Sequence, residues 1–198
     1  NWTNGCEGGA ADIPPSEIDD CLIPSGCTHY PRYPRPIDYG LDIAKCNSLK
    51  ISSVSGEAIA QIQWMQGLSS YNGDDVVLNV YGDMEIESES EVSIYKKGLL
   101  EVGNQLMHDT SVVFNYKSDL SIIEGSLIIH SNGFVRVLQD TDIRGSDGEI
   151  LITADANGPG NFKNFGDVSY FNGGSASIET FMENSAALGD YYFHTVGP

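Results

Sequence analysis

Residues 80–102 read VYGDMEIESESEVSIYKKGLLEV, and the fold turns on what recurs there. Val80 to Met84 in VYGDM, Val102 to Leu106 in VGNQL and Ile123 to Leu127 in IEGSL are apolar pairs four apart, each enclosing a glycine (Gly82, Gly103, Gly125). The steps between them are 22 residues (80 to 102) and 21 (102 to 123). Further apolar positions follow at similar offsets: Val92 and Ile94, Val112 and Phe114, then Phe134. A period of that length suits one turn of a three-sided parallel β-helix, in which each coil stacks about 4.8 Å above the last and buries its inward side chains in a common column. The competing reading is a β-sandwich with a hairpin about every 8 to 12 residues.

Working outward, the chain changes character near Ser48. Residues 1–45 are irregular, with prolines at 14, 15, 24, 31, 34 and 36 that forbid long helices and central strands. From there on, short alternating segments (SLKISS, EVSIYKKGLLEV, GSLIIHSNGFVRVL, GEILITAD, SASIETFM) are separated by Gly, Asn, Asp or Ser, the pattern of many short strands. The expectation is an all-β, right-handed parallel β-helix (a solenoid) over residues 46–198, preceded by an N-terminal cap and first coil over residues 1–45.

Charge narrows the partners. The 198 residues carry 28 acids against 10 bases, a formal net charge of −18. Phosphate binding needs a Lys/Arg patch, so nucleic acid is not an expected partner, nor is an anionic membrane surface. No run of 18 apolar residues occurs, so membrane insertion is not expected either. The chain starts at Asn1 without an initiator methionine, which suggests an excised piece of a longer protein. Four cysteines, Cys6, Cys21, Cys27 and Cys46, crowd the first 46 residues; an even, clustered count points to an oxidising extracellular setting with three pairings open.

The opening NW, then IPPSEIDDCLIPSGCTHYP and AKCNSLKIS, resembles the start of solenoid regions in large secreted surface proteins of Bacteroidetes. Trp2, Asp19, Asp20, Ile23, Pro24, Tyr30, Pro31 and Leu49 to Ile51 carry the likeness, and the closing SASIETFMENSAALGDYYFHTVGP carries it more weakly, with Glu179 and Thr180 where a basic–aromatic pair is usual. The resemblance implies export by the type IX pathway, a β-helical fold and a place in a longer polypeptide, and it transfers no catalytic residue. Within that frame DDCLIPSGCTHYPRYP is the cap and first coil. Cys46 falls 25 residues after Cys21, about one coil on, so the expected disulfides are Cys21–Cys46 and, pinning the N-terminal arm, Cys6–Cys27.

Candidate sites follow from the acids and aromatics. Cys21, Cys27 and His29 have zinc-type side chains, but their spacing matches no ligand pair. In DMEIESESE, Asp83, Glu85, Glu87, Glu89 and Glu91 occupy every second position, so an extended strand would project all five from one face. Neighbours about 6.8 Å apart would repel by roughly 0.6 kcal/mol even in water. Such a face suits calcium, or serves as a solubilising exterior offset by Lys96 and Lys97. DTDIRGSDGE offers a second calcium loop with Asp140, Asp142, Asp147 and Glu149, although Arg144 and Leu151 depart from the EF-hand pattern. Asp140, Asp142 and Arg144 would also serve a polysaccharide lyase or hydrolase. Tyr30, Tyr33 and Tyr39, interleaved with Arg32 and Arg35, would stack on a surface glycan or a neighbouring subunit. Under the 22 and 21 offsets Glu85 aligns with Met107 and Ile128, giving a partly apolar outer face for lateral self-association. The leading expectation is a non-catalytic structural or adhesive module of a cell-surface filament or appendage. A carbohydrate-binding module comes second and an enzyme third.

Overall fold

The computed structural model describes residues 15–27, 43–54, 60–64, 76–95, 98–103, 119–182 and 192–196. Among these residues there are nineteen strands, β1 to β19 in chain order, and no helix. One parallel sheet holds β1 (Cys21–Pro24), β3 (Leu49–Ser52), β6 (Met84–Glu87), β9 (Leu120–Ile123), β12 (Thr141–Arg144) and β17 (Val168–Phe171). A second holds β4 (Gln61–Trp64), β7 (Glu91–Ile94), β10 (Ser126–Ile129), β13 (Glu149–Ile152) and β18 (Ser175–Met182), with β19 (Tyr192–Val196) joined antiparallel to β18. The third holds β2 (Ile43–Cys46), β5 (Val76–Val80), β8 (Gly98–Val102), β11 (Phe134–Val137) and β16 (Asn161–Asn164). A short hairpin, β14 (Ala154–Asp155) with β15 (Gly158–Pro159), forms a separate ladder that lies against β18. From β3 to β13 the chain visits the three sheets in a fixed rotation, so each of these strands except β4 pairs with one from the coil before and one from the coil after.

The registers explain the strand sequences. Ile23, Ile51, Ile86, Ile122 and Ile143 stack in one line, each 5% exposed or less. Val92, Leu127 and Ile150 form a line in the second sheet, and Val80, Val102 and Val137 another in the third. β-Branched and Leu side chains fit these four-residue strands because each sits flat on its neighbour above and below. Burying one contributes about 1.5–3 kcal/mol relative to leaving it in water.

The uniform 21- or 22-residue period needs correction. Val80 does pair with Val102, a step of 22. Val102, however, pairs next with Val137, whereas Ile123 lies in a different sheet beside Glu87 and Arg144. Along the first sheet the steps are 28 (Cys21 to Leu49), 35 (Leu49 to Met84), 36 (Met84 to Leu120), 21 (Leu120 to Thr141) and 27 (Thr141 to Val168). Only inward positions must keep register; the connections outside can lengthen at a small entropic cost.

The corner after the first sheet is built alike in successive coils. Glu89, Glu124, Gly145 and Asn172 all have left-handed backbone, with φ of 57°, 57°, 84° and 52°. They stack through Glu89 N–H to Glu124 O (2.7 Å), Glu124 N–H to Arg144 O (2.9 Å) and Gly145 N–H to Phe171 O (3.1 Å). Inside the same corner the early coils bury Ser25, Ser53 and Ser90. Ser53 Oγ lies 3.2 Å from Ser90 Oγ and accepts from Ala60 N–H at 2.8 Å, which satisfies backbone that the turn leaves without a ladder partner.

Candidate functional site

The carboxylate ladder is not one face. β6 ends at Glu87 and β7 begins at Glu91, with the turn at Ser88–Ser90 between them and Asp83 in the connection before β6, so the five acids divide between two sheets and two corners. Glu85 and Glu87 both meet Lys50 of the preceding coil, at 3.1 and 2.8 Å. Glu91 accepts the Ser93 hydroxyl at 2.6 Å, and Asp83 accepts the Asp119 backbone N–H at 3.2 Å.

The expected loop at residues 140–149 is also different: it contains β12, whose Thr141 and Ile143 point inward with no exposure. Asp140 accepts the Asp167 N–H at 2.8 Å, Asp142 pairs with Arg144 at 2.5 Å, and Glu149 accepts from Ser126 at 3.0 Å. Asp147 is on the far side of the following corner, with the Ser146 hydroxyl 3.4 Å away. Among the described residues no three His, Cys, Asp or Glu side chains are grouped to hold a metal ion.

The lateral face is corrected by register as well. Glu85 stacks between Lys50 and Ser121, whereas Ile128 stacks between Ser93 and Leu151 in another sheet. Met107, Tyr30, Tyr33, Tyr39 and Cys6 lie outside the described residues.

At the first coil Cys21 and Ile23 share the inward face of β1, and Pro24 ends the strand, as the sequence suggests. Asn47 N–H donates to Asp19 O at 2.8 Å, and Cys21 N–H to Ser48 O at 2.9 Å. The Asp20 carboxylate accepts from the Ser48 hydroxyl (2.7 Å) and from Asn47 Nδ2 (2.8 Å), bonds that hold its pKa below the usual carboxylate range. Cys21 and Cys46 meet at this corner as free thiols. Cys27 Sγ lies 3.4 Å from the Pro24 carbonyl oxygen.

Apolar surface appears at both ends of the stack: Ile18, Leu22 and Val54 are exposed beside the first coil, and at the other end the inward columns themselves open. Val168 continues the column of Thr141 and Leu120, and Tyr170 that of Ile143 and Ile122, yet they are 37% and 47% exposed. Ile178, next to Ile152 in the second sheet, is 44% exposed. Among the described residues β16 and β17 pair on one side only. Beside them, Arg136 and Lys163 lie over the exposed Phe165 ring, at 5.4 and 4.5 Å, and Arg144 lies over exposed Phe171 at 5.2 Å. Lys163 has no ion-pair partner among the described residues, while Arg136 meets Glu101 at 3.2 Å.

Sequence reading missed this surface, because DVSYF and NFKN look like any other short strand; only stacking order identifies them as the last coil. No family model matches the chain, and neither does any curated protein or solved structure.

Proposed function

We propose that the chain is a non-catalytic structural module of an extracellular surface protein, one coil segment in a self-associating filament or appendage. In this reading the three sheets close into a right-handed β-helix with a disulfide-stapled N-terminal cap. The resemblance of the cap to solenoid regions of secreted Bacteroidetes surface proteins supports export by the type IX pathway.

The observation that carries the proposal is the loss of burial along one inward column of the stack. Its first coil buries Ile23 at 5% exposure, whereas its last leaves Tyr170 at 47% in the same column. Two one-sided strands next to exposed apolar side chains invite strand-to-strand association. Calcium enters as a bridge between the acidic exteriors of different copies.

The test is electron microscopy and sedimentation of the intact parent protein in calcium and then in chelator. Repeated copies in ordered particles or filaments are expected, with Tyr170→Lys dispersing them while circular dichroism is unchanged. Single particles in both conditions would overturn the reading. A second reading, glycan binding, is supported by the exposed Phe165 and Phe171 rings beside cations. On a glycan array, binding that disappears with Phe165→Ala plus Phe171→Ala, or with Tyr30→Ala plus Tyr33→Ala, would transfer the weight to it.

A further inference from the structure

We propose that Cys21 and Cys46 are an oxidisable pair that closes into a disulfide across the corner joining the first two coils, with Cys21 as the entering thiol and Cys46 as the resolving one.

The corner brings the two side chains next to each other. Cys21 is the inward residue below Leu49 in the first sheet, and Cys46 the inward residue below Val80 in the third. Only Asn47 and Ser48 separate Cys46 from Leu49 along the chain, so the two columns converge where their sheets meet. The backbone bonds Asn47 to Asp19 and Cys21 to Ser48, with the Asp20 carboxylate gripping Asn47 and Ser48, lock residues 19–21 onto 46–48. A buried cysteine is ordinarily a small hydrophobe with an inert thiol. Here two thiols adjoin, and the exposure of the two differs: Cys46 is 0% exposed, while Cys21 is only half-buried.

That difference assigns the roles. The Cys46 thiol's hydrogen bond holds the Cys21 pKa below the ordinary thiol range, against burial and the charges of Asp19 and Asp20. The same contact, with burial, pushes Cys46 up. Cys21 is thus the reachable thiolate. It attacks one sulfur of a small disulfide oxidant, forming a mixed disulfide and releasing one oxidant thiolate. Cys46 then attacks Cys21 Sγ, and its proton passes to the second oxidant thiolate as that group is displaced. Two electrons pass to the oxidant, and the Cys21–Cys46 bond is left.

The proposal does not depend on the assembly reading. The full chain, reduced and then exposed to oxidised glutathione, is digested without reduction and mapped by mass spectrometry. The expected result is a linked peptide joining Cys21 to Cys46, with a thermal midpoint higher by about 5 °C or more that dithiothreitol reverses. Cys46→Ser is expected to trap glutathione on Cys21, and Cys21→Ser to leave Cys46 unmodified in the folded chain. Cys21 and Cys46 both still alkylated after oxidation, Cys21 linked instead to Cys6 or Cys27, or a lasting glutathione adduct on Cys21 in the unsubstituted chain would each overturn it. If either serine variant does not fold, the map of the unsubstituted chain decides alone.

Discussion

His130 directly follows β10, with its ring stacked on Tyr95, centroids 4.0 Å apart and planes 10° from parallel. Its Nδ1 lies 3.5 Å from the Thr153 hydroxyl. Burial holds its pKa below the ordinary imidazole value, while Glu91 and Glu179 pull weakly the other way. A folded-state pKa below the unfolded one means the unfolded chain binds more protons between the two values, so stability falls as pH drops through that window. The thermal midpoint is expected to fall between about pH 7 and about pH 5, and His130→Phe, which keeps the ring, to flatten that portion of the curve. Equal pH dependence in the two chains would rule His130 out as its source. The carboxylates of Asp19 and Asp20, held low by hydrogen bonds from Ser16, Ser48 and Asn47, act in a separate window, below about 3.8.

At the scale of elements, the corners limit substitution more than the strands do. A Cβ on Gly133 would stand 2.4 Å from the Ile94 carbonyl oxygen and 3.0 Å from that of His130, and backbone cannot swing away. Gly133→Ala is expected to destabilise by about 2 kcal/mol in urea unfolding, with an unchanged m-value. Gly145→Ala should be milder in its contacts, since it meets the movable Glu124 side chain, but it carries the left-handed φ of 84°. The alternation in KIS, MEI and LSI announced strands because inward and outward positions differ in polarity there. The register was legible only where a coil has no excursion, as from Val80 to Val102. Elsewhere, outer connections of variable length broke the period without disturbing the core. The acidic ladder misled because Ser88 and Glu89 adopt φ of 25° and 57°, which periodicity of two does not register in a run of Ser and Glu. β12 hid inside DTDIRGSDGE because its inward pair is Thr141 and Ile143, only one of them apolar.

For the molecule as a whole, a net charge of −18 on an extended stack makes self-repulsion a global term. Moving from about 10 mM to about 150 mM sodium chloride shortens the Debye length from about 30 Å to about 8 Å, so the unfolding midpoint is expected to rise with salt. Calcium at matched ionic strength should add nothing to the Tyr170→Lys chain if its part is to bridge copies; an extra stabilisation there would instead mark a site within one chain. The few described cations are placed unevenly against this background. Lys45 meets Glu17 at 2.7 Å and Lys50 meets two glutamates in the early coils, whereas Arg136, Arg144 and Lys163 gather around the aromatic rings of the last.

Because the strands lie one above another, their ladder hydrogen bonds run along the stacking direction. A pull on the two ends therefore loads those bonds one coil after another, as in peeling tape, rather than shearing many at once. Each detached coil lengthens the chain in a step: the 21 residues from Leu120 to Thr141 would pay out about 70 Å when fully extended. Such a body yields gradually under tension and lets go from its ends. A bond between Cys21 and Cys46 would place a stop at one of them.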